Sequence, residues 1–286
     1  MKNILLPTDF SENSWNAIKY AISFFEQEPC NFYLLQISLL SNAVINETPY
    51  IASEDVIENV FTKPAKLKLR QIIRNISTKL PSNKNHHFYT LYDYNFFIES
   101  IRKHVDEKKI DIIVMGTKGA SGLKKIILGS NTANVITKVK CTTLIIPEEA
   151  EFEKLDEIAF PTDFSLTYDI QLLEPLSKIL EKYKSALRIL HINKKKSELN
   201  TEEHKTKELL EDYFNHINHS FHFLTNKKVE DAIQCFVESR GINMICMVAK
   251  NLNYFQQILF HSKVEEISYH TEIPFLVLHE KIQPYE

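Results

Sequence analysis

The stretch Ile4-Leu5-Leu6-Pro7-Thr8-Asp9-Phe10-Ser11 occurs twice, the second time as Ile158-Ala159-Phe160-Pro161-Thr162-Asp163-Phe164-Ser165. Five consecutive residues, Pro-Thr-Asp-Phe-Ser, are identical at an offset of 154 positions. An apolar run closed by Pro, then a Ser able to cap a helix, reads as a short strand turning into a helix. Its recurrence makes the chain a tandem of two related units. Further on, the copies stay in step at an offset of 132: Ile101 with Ile233, Asp111 with Asn243, Met115 with Met247, Ser130 with Ser262, Val135 with Ile267, and Leu144-Ile145-Ile146 with Leu276-Val277-Leu278. The second copy has therefore lost 22 residues, and the loss must fall between its second and third strands, in the region matching Leu40 to Lys84. The boundary lies in the polar run Glu148 to Lys154, giving expected domains 1–148 and 155–281.

Within copy one, strand and helix patterns alternate. Trp15, Ile18, Ile22 and Phe25 recur at helical spacing. Phe32 to Ile37 reads as a buried strand, followed by a loop and a helix marked by Leu69, Ile72, Ile76 and Leu80. Phe88 to Tyr92 alternates like a strand, and Phe97 to Val105 reads as a helix. Ile110 to Met115 is continuously apolar, as in a parallel strand covered on both faces. Ser130 to Val139 is helical and Thr142 to Ile146 a last strand. Such alternation predicts an α/β fold with a doubly wound parallel sheet in each copy.

Composition is that of a globular chain: 286 residues, 44% hydrophobic and 25% charged, with a net charge of −3 and a pI of about 6.4. No global basic field exists to attract nucleic acid or an anionic membrane. The run Lys194-Lys195-Lys196 reads as a solvated loop. No stretch approaches the ~18 apolar residues of a membrane helix, and Pro7-Thr8-Asp9 interrupts the apolar start before it reaches the length of a signal segment. The expectation is a cytoplasmic protein. Cys30, Cys141, Cys235 and Cys246 form no CxxC pair and read as small hydrophobes in a reducing compartment.

Four of the five glycines fall in one stretch: Gly116, Gly119, Gly122 and Gly129. Gly116 ends a strand, where it would let the backbone turn sharply. Gly119 would let a main-chain N–H approach an anion. Gly129 and Ser130 open a helix, so free N–H groups and the positive dipole end converge. Ser130 and Thr132 can add hydroxyls and Lys118 a charge. Together these read as a phosphate cradle, against the alternative of a surface loop before a capped helix. The stretch lacks the Gly-Lys-Ser/Thr ending of a P-loop, and it does not follow the first strand as a G-x-G-x-x-G fingerprint would.

The spacing Gly116-x2-Gly119-x9-Gly129-Ser130, with Asp9 at the end of the first strand and Met115-Gly116 at the end of the fourth, resembles the ATP-binding motif of universal stress proteins. The resemblance runs over both copies. It implies two five-stranded parallel sheets of order 3-2-1-4-5 in tandem, of the adenine-nucleotide alpha-hydrolase-like type. It also implies pairing through the final strands as an internal pseudo-dimer, and leaves homodimerisation open. Carried over, Asp9 would contact the adenosine, while the backbone near Pro7, Thr8 and Ile37 would frame the adenine. Met115, Gly116, Lys118, Gly119, Gly129, Ser130, Asn131 and Thr132 would complete the site around ATP, with Mg2+. Lys118 stands where the family often has His. Taken alone, Asp9 reads equally well as a turn-former before a capped helix.

The second copy departs from the motif: Val248, Asn251 and His261 stand where Gly116, Gly119 and Gly129 stand in the first. Its first helix contains Pro175, which should kink it. His216, His219 and His222, like His86-His87, read as polar surface histidines, and no zinc-type spacing accompanies them. The function these features support is an ATP-binding stress-response or signalling module without turnover. The alternatives are a nucleotide-free interaction scaffold and a very slow ATP hydrolase, for which the motif supplies no water-activating base.

Overall fold

The computed structural model describes residues 1–38, 57–117, 129–164, 169–193, 198–226, 228–249 and 273–280. The first half runs β1 (Lys2–Pro7), α1 (Glu12–Phe24), β2 (Cys30–Ser38), a π-helical turn (Ile57–Thr62) leading into α2 (Lys63–Lys79), β3 (His86–Tyr94), α3 (Phe97–Glu107), β4 (Ile112–Gly116), α4 (Ser130–Lys138) and β5 (Thr143–Ile146). The second half runs β6 (Glu157–Pro161), α5 (Ile170–Tyr183), β7 (Ala186–Asn193), α6 (Thr201–Tyr213), β8 (His219–Thr225), α7 (Val229–Arg240), β9 (Met244–Val248) and β10 (Phe275–Leu278).

All ten strands form one sheet, in the order β3-β2-β1-β4-β5-β10-β9-β6-β7-β8. Each half contributes a 3-2-1-4-5 arrangement of parallel strands, so each is doubly wound. The halves meet where β5 and β10 pair antiparallel, with Phe275 opposite Ile145 and Val277 opposite Thr143. The two expected five-stranded sheets are thus continuous. The cause is legible in β5 and β10: both are fully buried apolar strands, and an open edge of that kind is unstable in water.

The repeat offsets reappear as geometry. Adding 132 to the bounds of β4 and β5 gives those of β9 and β10. The connection from Ser38 to His86 is 22 residues longer than that from Asn193 to His219, which places the loss between the second and third strands. Asp111 and Asn243 do the same work in each half. The Asp111 carboxylate accepts from the Asn3 amide at 2.9 Å, and Asn243 Oδ1 accepts from the Glu157 amide at 2.9 Å.

α1, α5 and α6 start where a side chain satisfies free N–H groups. Ser11 caps α1 by accepting from the Ser14 amide at 3.2 Å, and Asn200 with Glu203 forms a capping box on α6. α1 then buries Ala17, Ile18, Ala21, Ile22 and Phe24 against the sheet. α5 runs unbroken through Pro175, held by buried Leu172, Leu173 and Leu176 on either side. His86 is a correction to the surface reading: it is buried, with Nε2 3.1 Å from the Phe25 carbonyl. His216, His219 and His222 have separate partners in Glu181, the Ile217 carbonyl and Ser220. Among the described residues no group of three or more His, Cys, Asp or Glu could hold a metal ion. No helix among them is long and apolar enough to cross a membrane. All four cysteines are free, and Cys30, Cys141 and Cys246 are buried.

A second contact joins the halves on the α1 face of the sheet. Lys182 of α5 donates to the Phe24 carbonyl and to Glu28, each at 2.7 Å, and Tyr183 donates to the same carbonyl. Phe152, from the connection between halves, packs edge-on against Tyr20 and Phe24. Burial pushes the Glu28 carboxyl up, but hydrogen bonds from Lys182 and Lys2 outweigh it and hold the group below its ordinary 4.5. Burial pulls Lys182 down, and Glu28 opposes this. A carboxylate with a depressed folded-state pKa stabilises the fold above its unfolded value and loses that contribution as pH falls through the folded one. Glu28→Gln should therefore cost about 1 kcal/mol at pH 7, given its partial exposure. The gap from wild type should close as pH is lowered below 4.5 in urea titrations; a gap independent of pH would refute the ionic contribution.

Candidate functional site

The strand order reverses direction between β1 and β4, which lie side by side with Ile4 opposite Ile112 and Leu5 opposite Ile113. A crevice outside the carboxyl ends of such strands is the usual ligand position in open α/β sheets. β1 delivers Pro7, Thr8 and Asp9 there. The Thr8 amide donates to the Leu35 carbonyl at 2.8 Å, tying the end of β1 to β2 just before Ile37. Its buried hydroxyl accepts from the Phe10 amide at 3.1 Å and lies 3.0 Å from Ser14 Oγ. Asp9 is exposed, and its Oδ1 accepts from the Ser11 amide at 3.0 Å and the Ser11 hydroxyl at 2.6 Å.

Phe10 adopts a φ of 66°, the left-handed region that non-glycine residues avoid. The second copy repeats this turn. Thr162 donates to the Leu190 carbonyl at 2.9 Å, its hydroxyl accepts from Phe164, and Phe164 has a φ of 55°. In both copies Pro-Thr-Asp-Phe thus encodes a strained turn after the first strand, held by a threonine hydroxyl. That accounts for its presence in both copies without reference to a ligand. It also gives Asp9 the turn-forming part that its sequence context allows.

β4 delivers Met115 and Gly116. Met115 is buried with Leu5, Leu35 and Val135, and Ile37 packs partly against the same cluster. A Cβ on Gly116 would stand 2.7 Å from Asn13 Oδ1 and 2.8 Å from Asn13 Cγ. Gly116 is not in the positive-φ region, so the sharp turn expected of it is not the reason for glycine. Close approach of the α1 side chain is. Asn13 and Ser14 are therefore contributors that the sequence reading missed. The available signal was their position at the head of the stripe that Ala17, Ile18 and Ala21 continue.

The two ends of the glycine stretch are stitched together. The Gly129 amide donates to the Thr117 carbonyl at 2.5 Å, and the buried Thr132 hydroxyl donates to the Gly116 carbonyl at 2.9 Å. These bonds bring the start of α4 to the end of β4. They also commit the Thr132 hydroxyl to the fold. Gly129 is the N-cap of α4 and offers no side-chain hydrogen bond, and Ser130 and Asn131 of the first turn are exposed. A helix start without a side-chain cap presents N–H donors and the positive dipole end outward, which suits an anion. Lys118 and Gly119 lie outside the described residues. In the second half β9 ends in buried Val248, and Asn251 and His261 lie outside the described residues.

A sequence profile of the Universal stress protein family matches residues 1–147. One curated relative, a universal stress protein of Methanocaldococcus jannaschii, is 30% identical over 158 residues, covering 51% of this chain and 94% of that protein. A second from the same organism is 28% identical over 145 residues, covering 51% of this chain and 81% of its own. Among solved structures, a universal stress protein from Archaeoglobus fulgidus superposes with a TM-score of 0.71 at 19% identity, over 96% of this chain and 97% of that one. That likeness is one of fold, and it spans both halves.

Proposed function

Since the chain belongs to the universal stress protein family, we propose that its first half binds ATP in the crevice between β1, β4 and the start of α4. The observation that carries this reading is the α4 N-terminus: a glycine N-cap, no side-chain cap and an exposed Ser-Asn first turn, pinned to the end of β4. Ser130, Asn131 and the amides around Gly129 would hold the phosphates, with Lys118 and Gly119 from the intervening loop. Asp9 and the backbone of Pro7, Thr8 and Ile37 would face the nucleoside. Mg2+ would enter with the triphosphate, since it commonly keeps waters and needs few protein ligands.

On this reading the protein is a cytoplasmic stress-response or signalling module of two domains, 1–148 and 155–281, that binds ATP without turning it over. The second domain serves as a packing partner in an internal pseudo-dimer. A nucleotide-free scaffold is the second reading, favoured by the engagement of Asp9 in its turn and of Thr132 with Gly116.

Ser130→Asp separates the two. A carboxylate in the first helical turn favours the helix by about 0.3–1 kcal/mol, yet it repels a triphosphate. Calorimetry should show ATP binding at least about tenfold weaker, with the thermal midpoint unchanged or raised. Equal affinity in both proteins would remove the phosphates from this helix. A steady-state phosphate release near ~10 s⁻¹ in the wild type would make the chain an enzyme instead.

A further inference from the structure

Away from the crevice, a cavity of about 310 Å³ lies between α2 and the outermost strand, β3. Leu69 lines it at 1% exposure, with Thr62, Thr90 and Tyr92. Lys66 and Arg70, one turn apart on α2, also line it and are exposed. The Tyr92 hydroxyl is shielded from solvent and has no hydrogen-bond partner among the described residues. Lys66 reaches Glu58 at 3.5 Å, whereas Arg70 has no ion pair or hydrogen bond among the described residues. Phe61, in the π-helical turn before α2, and Tyr94 of β3 place their rings 5.4 Å apart, and Phe61 is 37% exposed.

The second half is an internal control. Strand registers align Thr90 and Tyr92 with Phe221 and Phe223. Aligning the last buried helix residues, Ile76 with Leu210, places Asn200 and His204 where the first half has Lys66 and Arg70. There Phe221 and Phe223 close on Phe164, each at 6.3 Å, and Lys207 covers the Phe221 ring. One half thus sets aromatic rings in this place, with Lys207 over Phe221 and Phe223 half-exposed. The other lines it with hydroxyls and two cations.

We propose that the α2–β3 cavity binds a small organic anion. Its phosphate or carboxylate head sits between Lys66 and Arg70, and its flat body lies against Leu69 and the Tyr92 side chain. The site is distinct from the proposed ATP crevice: its lining residues lie on β3, on α2 and at the end of the turn before α2, and none of them is among the residues proposed to hold ATP.

The test is calorimetry on the full chain with phenyl phosphate, benzoate and inorganic phosphate as probes. Phenyl phosphate should bind at one site per chain and more tightly than inorganic phosphate. Lys66→Ala with Arg70→Ala should weaken it at least about tenfold, and Ser130→Asp should leave it unchanged. Benzoate binding as well as phenyl phosphate would assign a carboxylate head, and weaker binding a phosphate. Absence of saturable binding for all three probes at millimolar concentration would overturn the proposal. So would equal affinity in the double variant.

Discussion

Replacing Phe24 with Ala is expected to lower the stability of the chain by about 3–5 kcal/mol, the range for emptying a buried aromatic site. Phe24 is 1% exposed and stands at the junction of three segments. Its ring packs against Tyr20 of its own helix, Phe152 of the connection and Tyr183 of α5. Its carbonyl receives Lys182 and Tyr183. Collapse around the void is opposed from both sides, because α1 and α5 are each fixed to the sheet. Urea unfolding followed by Trp15 fluorescence and by circular dichroism should still give one coincident transition, shifted to lower denaturant. A loss below about 1 kcal/mol would mean that the halves are held by β5 and β10 alone.

The second large effect is expected at Gly116. A Val there should cost about 1–3 kcal/mol by overpacking against Asn13. The strand itself is not the obstacle, since β9 accepts buried Val248 at the matching position. The cost should therefore be recovered mostly by adding Asn13→Ala, and a double-mutant cycle would read the coupling. Additive losses from the two substitutions would show that the glycine answers to something other than this side chain.

These two sites mark where sequence reasoning succeeds and where it stops. The repeat, its two offsets and the alternation of strand and helix could be read because they depend on local pattern, whereas the strand order followed only from the resemblance to universal stress proteins. Apolar runs, Pro after β1 and the Ser11 cap each act within a few residues of themselves. The meeting of β5 and β10 was legible for a related reason: a short apolar strand at the end of each copy demands cover. The reason for Gly116 was not legible, because it lies in the approach of a side chain 103 positions earlier. His86 was misread because its burial depends on the Phe25 carbonyl, delivered by a different element. Of the expected ligand residues, Pro7, Thr8, Gly116, Gly129, Ser130 and Thr132 converge on the ends of β1, β4 and α4. Thr8 and Thr132 are there with their hydroxyls already used inside the fold.

The antiparallel junction of β5 with β10 places the halves in the relation that two identical chains would adopt around a twofold axis. In a symmetric pair every substitution is written twice, so both crevices must change together. Joining the copies in one chain breaks that constraint. Val248 can replace glycine on one side of the axis while Gly116 keeps its contact with Asn13 on the other. The same freedom lets one outer cleft carry phenylalanines while its counterpart keeps hydroxyls and two cations. The tandem chain is an assembly whose two sides can diverge without giving up their shared seam.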